Sequence, residues 1–147
     1  MINISCSNET SLSVVNNDIV GDITKRVLES MNVEDAEITF IFSSDNLLTS
    51  LKKKFFDKDH LTDIIAFRLN NYNEKFIEGE VYISLQRVKE NSSQFTQPYQ
   101  KEISRLVIHG CLHLMGYDDK TSSGKKNMTM LENKYLSKTK WDGIITG

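Results

Sequence analysis

The segment His109-Gly110-Cys111-Leu112-His113-Leu114-Met115-Gly116-Tyr117-Asp118-Asp119 spaces its residues as a metal site would, in the pattern H-x3-H-x2-G-x2-D. On a helix, positions i and i+4 share a face about one turn apart, so the rings of His109 and His113 can reach one ion. Gly116 can end that helix by taking a left-handed backbone conformation. Asp119 then arrives from the following loop as a third ligand and leaves a fourth position open to water. Three protein ligands and one open position are the arrangement of a catalytic zinc centre, whereas structural zinc sites are closed by four. The chemistry expected is metal-assisted hydrolysis, with His109, His113 and Asp119 as both the metal ligands and the catalytic residues.

Each residue alone has a plainer reading. A single histidine is more often packed or capping than ligating, and pairs at i, i+4 arise by chance. Gly116 and Asp119 at fixed offsets leave chance few free choices. His60 is the remaining histidine and has no such partners, so it is not expected in the site.

A helix from about Pro98 to Met115 must present the two rings. Pro98 suits its first turn, where no backbone donor is required. Ile103, Leu106, Val107, Gly110 and Leu114 follow helical spacing and form its buried stripe. At about 100° per residue, the histidines sit roughly 40° apart beside that stripe, and Cys111 points about 160° away from either. Cys111 therefore reads as a small core residue, despite lying inside the motif.

Around this helix the pattern alternates strands with helices. Ile2-Ser5, Glu37-Phe42, Ile64-Leu69 and Phe76-Ser84 read as strands, and Asn70-Asn71-Tyr72-Asn73 as the turn between the last two. Helices are expected over Asp18-Met31, capped by Asn17 or Asp18, from Asp45 to Phe55-Phe56, and over Ser123-Ser137. The fold class is α/β, an α+β sandwich: a small mixed sheet of about four strands packed with about five helices. The metal site falls at the end of a central helix. No repeat or linker divides residues 1–147, which read as one domain.

A net charge of −2 argues against a general polyanion-binding protein. Nucleic acid would have to be met by local patches such as Lys52-Lys53-Lys54, Lys125-Lys126 or Lys134/Lys138/Lys140, each of which alone reads as solvated surface. Cys6 and Cys111 form no disulfide framework. The first ten residues show no signal-peptide pattern, and no apolar run approaches the roughly 18 residues of a membrane span. A cytoplasmic protein without membrane contact or organic cofactor is expected.

Metzincin peptidases share the histidine spacing, but they place a glutamate general base directly after the first histidine. Gly110 stands there in this chain. A peptidase of this kind would have to bring its base from elsewhere.

With these residues in view, the chain resembles the YbeY family of bacterial endoribonucleases, or rRNA maturation factors. The family signature H-G-x-L-H-L-x-G-Y-D-H is kept from His109 through Asp118. Thr62-Asp63-Ile64-Ile65-Ala66-Phe67 is similar to the family's T-D-V-L-S-F, and Gly79-Glu80-Val81-Tyr82-Ile83-Ser84 to its G-D-I-x-I-S. The resemblance implies a small α/β fold, one bound zinc and cleavage of single-stranded RNA. It further implies work on ribosomal RNA (the 3′ end of 16S rRNA), ribosome quality control, and the ribosome or its small subunit as a partner.

Two positions depart from the family pattern. Its last histidine is Asp119 here; a carboxylate binds zinc at a similar distance but makes the ion a weaker Lewis acid. Its Y-R-G-K-D segment appears as Phe55-Phe56-Asp57-Lys58-Asp59, so Phe56 replaces an arginine suited to phosphate. Lys54, Lys58, Arg68 or Arg105 are the candidates to supply that charge. Asp63 reads equally as a positioning group or a turn aspartate. Glu102, two turns before His109, reads as surface before it reads as support for a ligand. Beside the nuclease stand two rivals, a metzincin-like peptidase and a ribosome assembly factor whose metal is structural. A non-haem iron oxygenase would use the same ligand types but normally on a β-barrel.

Overall fold

The structure, a computed structural model, describes residues 1–56 and 62–146. His60 and Lys58 lie outside the described residues. In chain order the elements are β1 (Ile2–Asn8), β2 (Val14–Val15), α1 (Asn17–Ser30), β3 (Ala36–Ser43), α2 (Asp45–Phe56), β4 (Ile64–Arg68) and β5 (Ile77–Ser84). There follow α3 (Leu85–Gln94), α4 (Tyr99–Leu114), α5 (Ser122–Leu136), a 3-10 turn at Trp141–Gly143, and β6 (Ile145–Thr146). The main sheet has the order β1-β3-β5-β4, with β1, β3 and β5 parallel and β4 antiparallel on the edge. This is the fold class expected, a mixed four-stranded sheet with five helices, of which α3 has no counterpart among the helices that the periodicity marked. The small β2–β6 pair was not foreseen.

Alternation along the strands decides which face meets the helices. In β3, Ala36, Ile38, Phe40 and Phe42 are buried, while the intervening residues are not. In β5, Ile77, Gly79, Val81 and Ile83 do the same. The β4–β5 register puts Ile64, Ala66 and Arg68 on that covered face, and Ile65, Phe67, Glu80 and Tyr82 on the opposite one. Helix α4 lies against the covered face and also touches α1, α3 and α5, so it is the central helix.

Burial fixes α4. Ile103, Val107, Ile108, Leu112 and Leu114 are wholly inaccessible, as is Cys111. Each large apolar side chain so buried contributes about 1.5–3 kcal/mol, more than a typical hydrogen bond at about 1 kcal/mol. The histidines therefore ride on a helix positioned by its apolar side. Gly110 permits the close approach: a Cβ there would lie 2.7 Å from Val81 Cγ1. Pro98 sits one residue outside the helix, as its N-cap, and Asn16 rather than Asn17 or Asp18 caps α1.

Candidate metal centre

Helix α4 ends as the spacing required. Gly116 takes φ +101°, the left-handed region that a side chain would resist. Its N–H donates to His113 O at 3.0 Å, and Tyr117 N–H donates to Leu112 O at 3.0 Å. Together these bonds form the Schellman pattern, which satisfies carbonyls left open by the helix end and turns the chain back across it. The next residues swing past the histidines. Asp118 Oδ1 accepts from Lys120 N–H at 3.1 Å, and Thr121 Oγ1 accepts from Gly124 N–H at 3.0 Å to start α5.

This turn delivers Asp119, not Asp118, to the two rings. His109 Nε2 and His113 Nε2 stand 3.0 Å apart, and Asp119 Oδ2 is 4.0 Å from His109 Nε2. The three ligand atoms lie within 4.8 Å of one another. At zinc–nitrogen distances of about 2.0–2.1 Å, tetrahedral ligand atoms are roughly 3.3 Å apart, a value these separations bracket. The donor set, two imidazoles and one carboxylate, is able to hold one ion.

A fourth residue prepares the first ring. Glu132, on α5, is buried, and its Oε2 lies 2.6 Å from His109 Nδ1. A buried carboxylate accepting from Nδ1–H leaves the Nε2 lone pair free to ligate. Arg105 donates to Glu132 Oε1 at 3.3 Å and to Asn133 Oδ1 at 3.0 Å, which holds the carboxylate in turn. The other ring sits in a different setting. Burial, and then the neighbouring His109, hold the His113 imidazole below its ordinary value of 6.5.

The ring atoms open into a cleft of about 710 Å³ that runs along the edge strand β4. Lys52 and Phe56 of α2 line one wall, and Leu106, Asp119 and Lys120 contribute to the other. Asp63 lies on the border of this cleft. Burial raises its pKa, while its backbone hydrogen bond and the nearby His109 and Arg87 oppose the rise. Arg68 is not part of the site. Its guanidinium donates to Asn70 Oδ1 and to the carbonyls of Leu114, Asn71, Glu74 and Phe76, tying the β4–β5 turn to the end of α4. Arg105 is likewise committed to Glu132, and Glu102 faces Arg105 at 3.7 Å instead of a metal ligand. Of the candidates for the missing charge, neither arginine is free to meet a phosphate. Among the described residues, Lys52 and Lys120 are the cations that reach the cleft.

Glu132 is the residue the sequence reading missed. Its signal was present: Met128, Glu132, Tyr135 and Leu136 share one buried stripe of α5, so a carboxylate stands among core positions.

The chain is similar to known proteins over most of its length. A family model described as Endoribonuclease YbeY matches residues 3–140. Relatives named Endoribonuclease YbeY include one from Flavobacterium psychrophilum, 38% identical over 75% of this chain and 77% of its own length. Another, from Bacteroides fragilis, is 38% identical over 79% of this chain and 82% of its own. A third, from Flavobacterium johnsoniae, is 31% identical over 91% of this chain and 95% of its own. The solution structure of TM1509 from Thermotoga maritima superposes with a TM-score of 0.63 at 27% identity, covering 93% of this chain and 87% of that one. With a family model spanning nearly its whole length and relatives of this similarity, the chain belongs to the YbeY endoribonuclease family.

Proposed function

We propose that this protein is a zinc-dependent endoribonuclease of single-stranded RNA that acts in ribosomal RNA maturation and ribosome quality control. The observation that carries the reading is the convergence of His109 Nε2, His113 Nε2 and an Asp119 oxygen at the mouth of the β4-edge cleft. His109, His113 and Asp119 hold the ion and are the catalytic residues. When bound, the ion supplies Lewis acidity and water activation for phosphodiester cleavage. The remaining work belongs to the chain. Glu132 keeps the His109 proton on Nδ1, and the depressed pKa of His113 keeps its ring a free base. Lys52 and Lys120 face neighbouring phosphates, which an acidic protein cannot attract through its overall charge. Residues 1–147 act as one domain in the cytoplasm, with the ribosome or its small subunit as partner. Among the described residues no helix is long and apolar enough to cross a membrane.

Gly110 disfavours the peptidase rival. A metzincin-type glutamate at that position would be directed at Val81 in the sheet, away from the metal ligands. The test is to load purified protein with zinc and offer single-stranded RNA, duplex RNA and an unfolded polypeptide. Cleavage of the single strand alone is expected, lost with chelator or with His109→Ala. Asp119→His should retain zinc, and Asp118→Ala should change little. Intact RNA beside a cleaved polypeptide would establish the peptidase, and bound zinc without any cleavage would establish the assembly factor.

A further inference from the structure

We propose that Phe56 is a nucleobase platform, on which a base of the single-stranded substrate stacks while Lys52 meets the adjoining phosphate. This proposal rests on the endoribonuclease reading and extends it to how the strand is held.

Phe56 occupies the cleft wall across β4 from the metal ligands, and 43% of its surface is open to solvent. Phe55 beside it is 57% exposed. Two adjacent exposed phenylalanines cost solvation that a core position would not, so their placement calls for a partner. The ring is not loose. Phe67 of β4 stacks with Phe56 at 5.9 Å between centroids and 23° between planes, and meets Phe55 edge-on at 5.4 Å. Tyr82 of β5 braces Phe67 from the side at 5.8 Å. Phe56 is thus held by a supported aromatic array, which lowers the entropy lost when another flat ring joins it.

Charge identifies the occupant. Lys52 Nζ rests 4.9 Å from the centroid of Phe56, and Lys54 Nζ 5.3 Å from that of Phe55. Aromatic faces interleaved with lysines, beside a site for one cation, suit a ligand with flat apolar rings strung on anions. Single-stranded nucleic acid has that chemistry, and base–aromatic stacking tolerates any base. An exposed cation–π contact is weaker than a base stack, so an arriving base displaces the Lys52 ammonium from the ring towards phosphate. Duplex RNA keeps its bases stacked on one another and cannot use the platform.

The experiment measures cleavage of a single-stranded RNA by zinc-loaded protein, together with anisotropy of a labelled deoxyuridine octamer and an abasic octamer with the same phosphates. Phe56→Ala should raise KM and weaken octamer binding about tenfold, with kcat and zinc content close to wild type. Phe56→Trp should restore binding. Phe56→Leu, which keeps an apolar contact with Phe67 but has no π-face, should not. The abasic octamer should bind wild type and Phe56→Ala alike. If Phe56→Ala does not fold, the leucine and tryptophan variants carry the same comparison. Equal octamer binding by wild type and Phe56→Leu, or an equal loss on the abasic octamer, overturns the platform while leaving the nuclease reading intact. A wild-type protein that neither binds nor cuts single strands, and instead takes an extended peptide along the β4 edge, overturns both.

Discussion

Glu132 Oε2 and His109 Nδ1 meet at 2.6 Å, joining α5, which begins after the turn that carries Asp119, to the histidine that precedes that turn. Glu132→Gln keeps the side chain's shape but removes the charge that favours a proton on Nδ1. Loss of such a supporting partner typically costs 10–100-fold in metal affinity. Zinc competition against a chelator should show a loss of about that size, with unchanged helix content. Unaltered zinc affinity would mean that the contact only packs α5.

The sequence disclosed the triad and concealed this partner for one physical reason. His109, His113, Gly116 and Asp119 are related by a single helix and its C-terminal turn, so their geometry follows from spacing. Glu132 is brought to the site by tertiary packing, and a glutamate on a helix ordinarily faces water. Helix α3 was concealed differently. Only Leu85, Val88 and Ser92 are buried, too thin a stripe to announce a helix, although Ser84 Oγ caps it by accepting from Arg87 N–H at 3.1 Å. The two-residue strands β2 and β6 exist only through each other. Nor could sequence separate Arg68 and Arg105 from phosphate ligands, because only the fold brings Arg68 onto Leu114 O and the carbonyls of the turn after β4, and Arg105 onto Glu132 and Asn133 of α5.

Acid should release the metal in a particular window. Burial, then His109, make protonated His113 the disfavoured form in the fold and lower its pKa from 6.5. In metal-free protein the unfolded chain therefore takes up this proton before the folded one does. The corresponding stability is present above about pH 6.5 and is lost as pH falls through the depressed folded value. Zinc affinity follows the same direction, since a proton competes for the ring nitrogen. Urea midpoints of the metal-free protein should decline on acidification below 6.5, and His113→Asn should remove part of that decline. A midpoint that rises instead would contradict the assigned burial.

Gly110 is expected to tolerate nothing larger. Its missing Cβ would sit 2.7 Å from Val81 Cγ1 and 3.1 Å from Cγ2. Val81 is β-branched and wholly buried in β5, so it has little freedom to give way. Gly110→Ala gains about 1 kcal/mol of helix propensity but overpacks the contact by about 1–3 kcal/mol, and the second effect should win. Adding Val81→Ala should recover stability relative to the sum of the single changes. Strict additivity in urea unfolding would show that the two residues do not oppose each other.

Salt should weaken RNA binding only gently. Lys52 and Lys120 line the cleft, while Arg68 and Arg105 are occupied elsewhere. Two or three phosphate contacts at about −0.7 each give a slope of log affinity against log salt of roughly −1.4 to −2.1 for a single strand. Lys52→Gln and Lys120→Gln should each reduce its magnitude by about 0.7, largely regardless of base sequence. Phe56→Ala should lower affinity without changing the slope, because it removes a stack and no counterion release. Binding titrations across a range of potassium chloride concentrations separate the two effects. A steep slope that survives loss of both lysines would place the strand on another surface, such as one carrying Lys125, Lys126 and Lys134 of α5, and would detach substrate binding from this cleft.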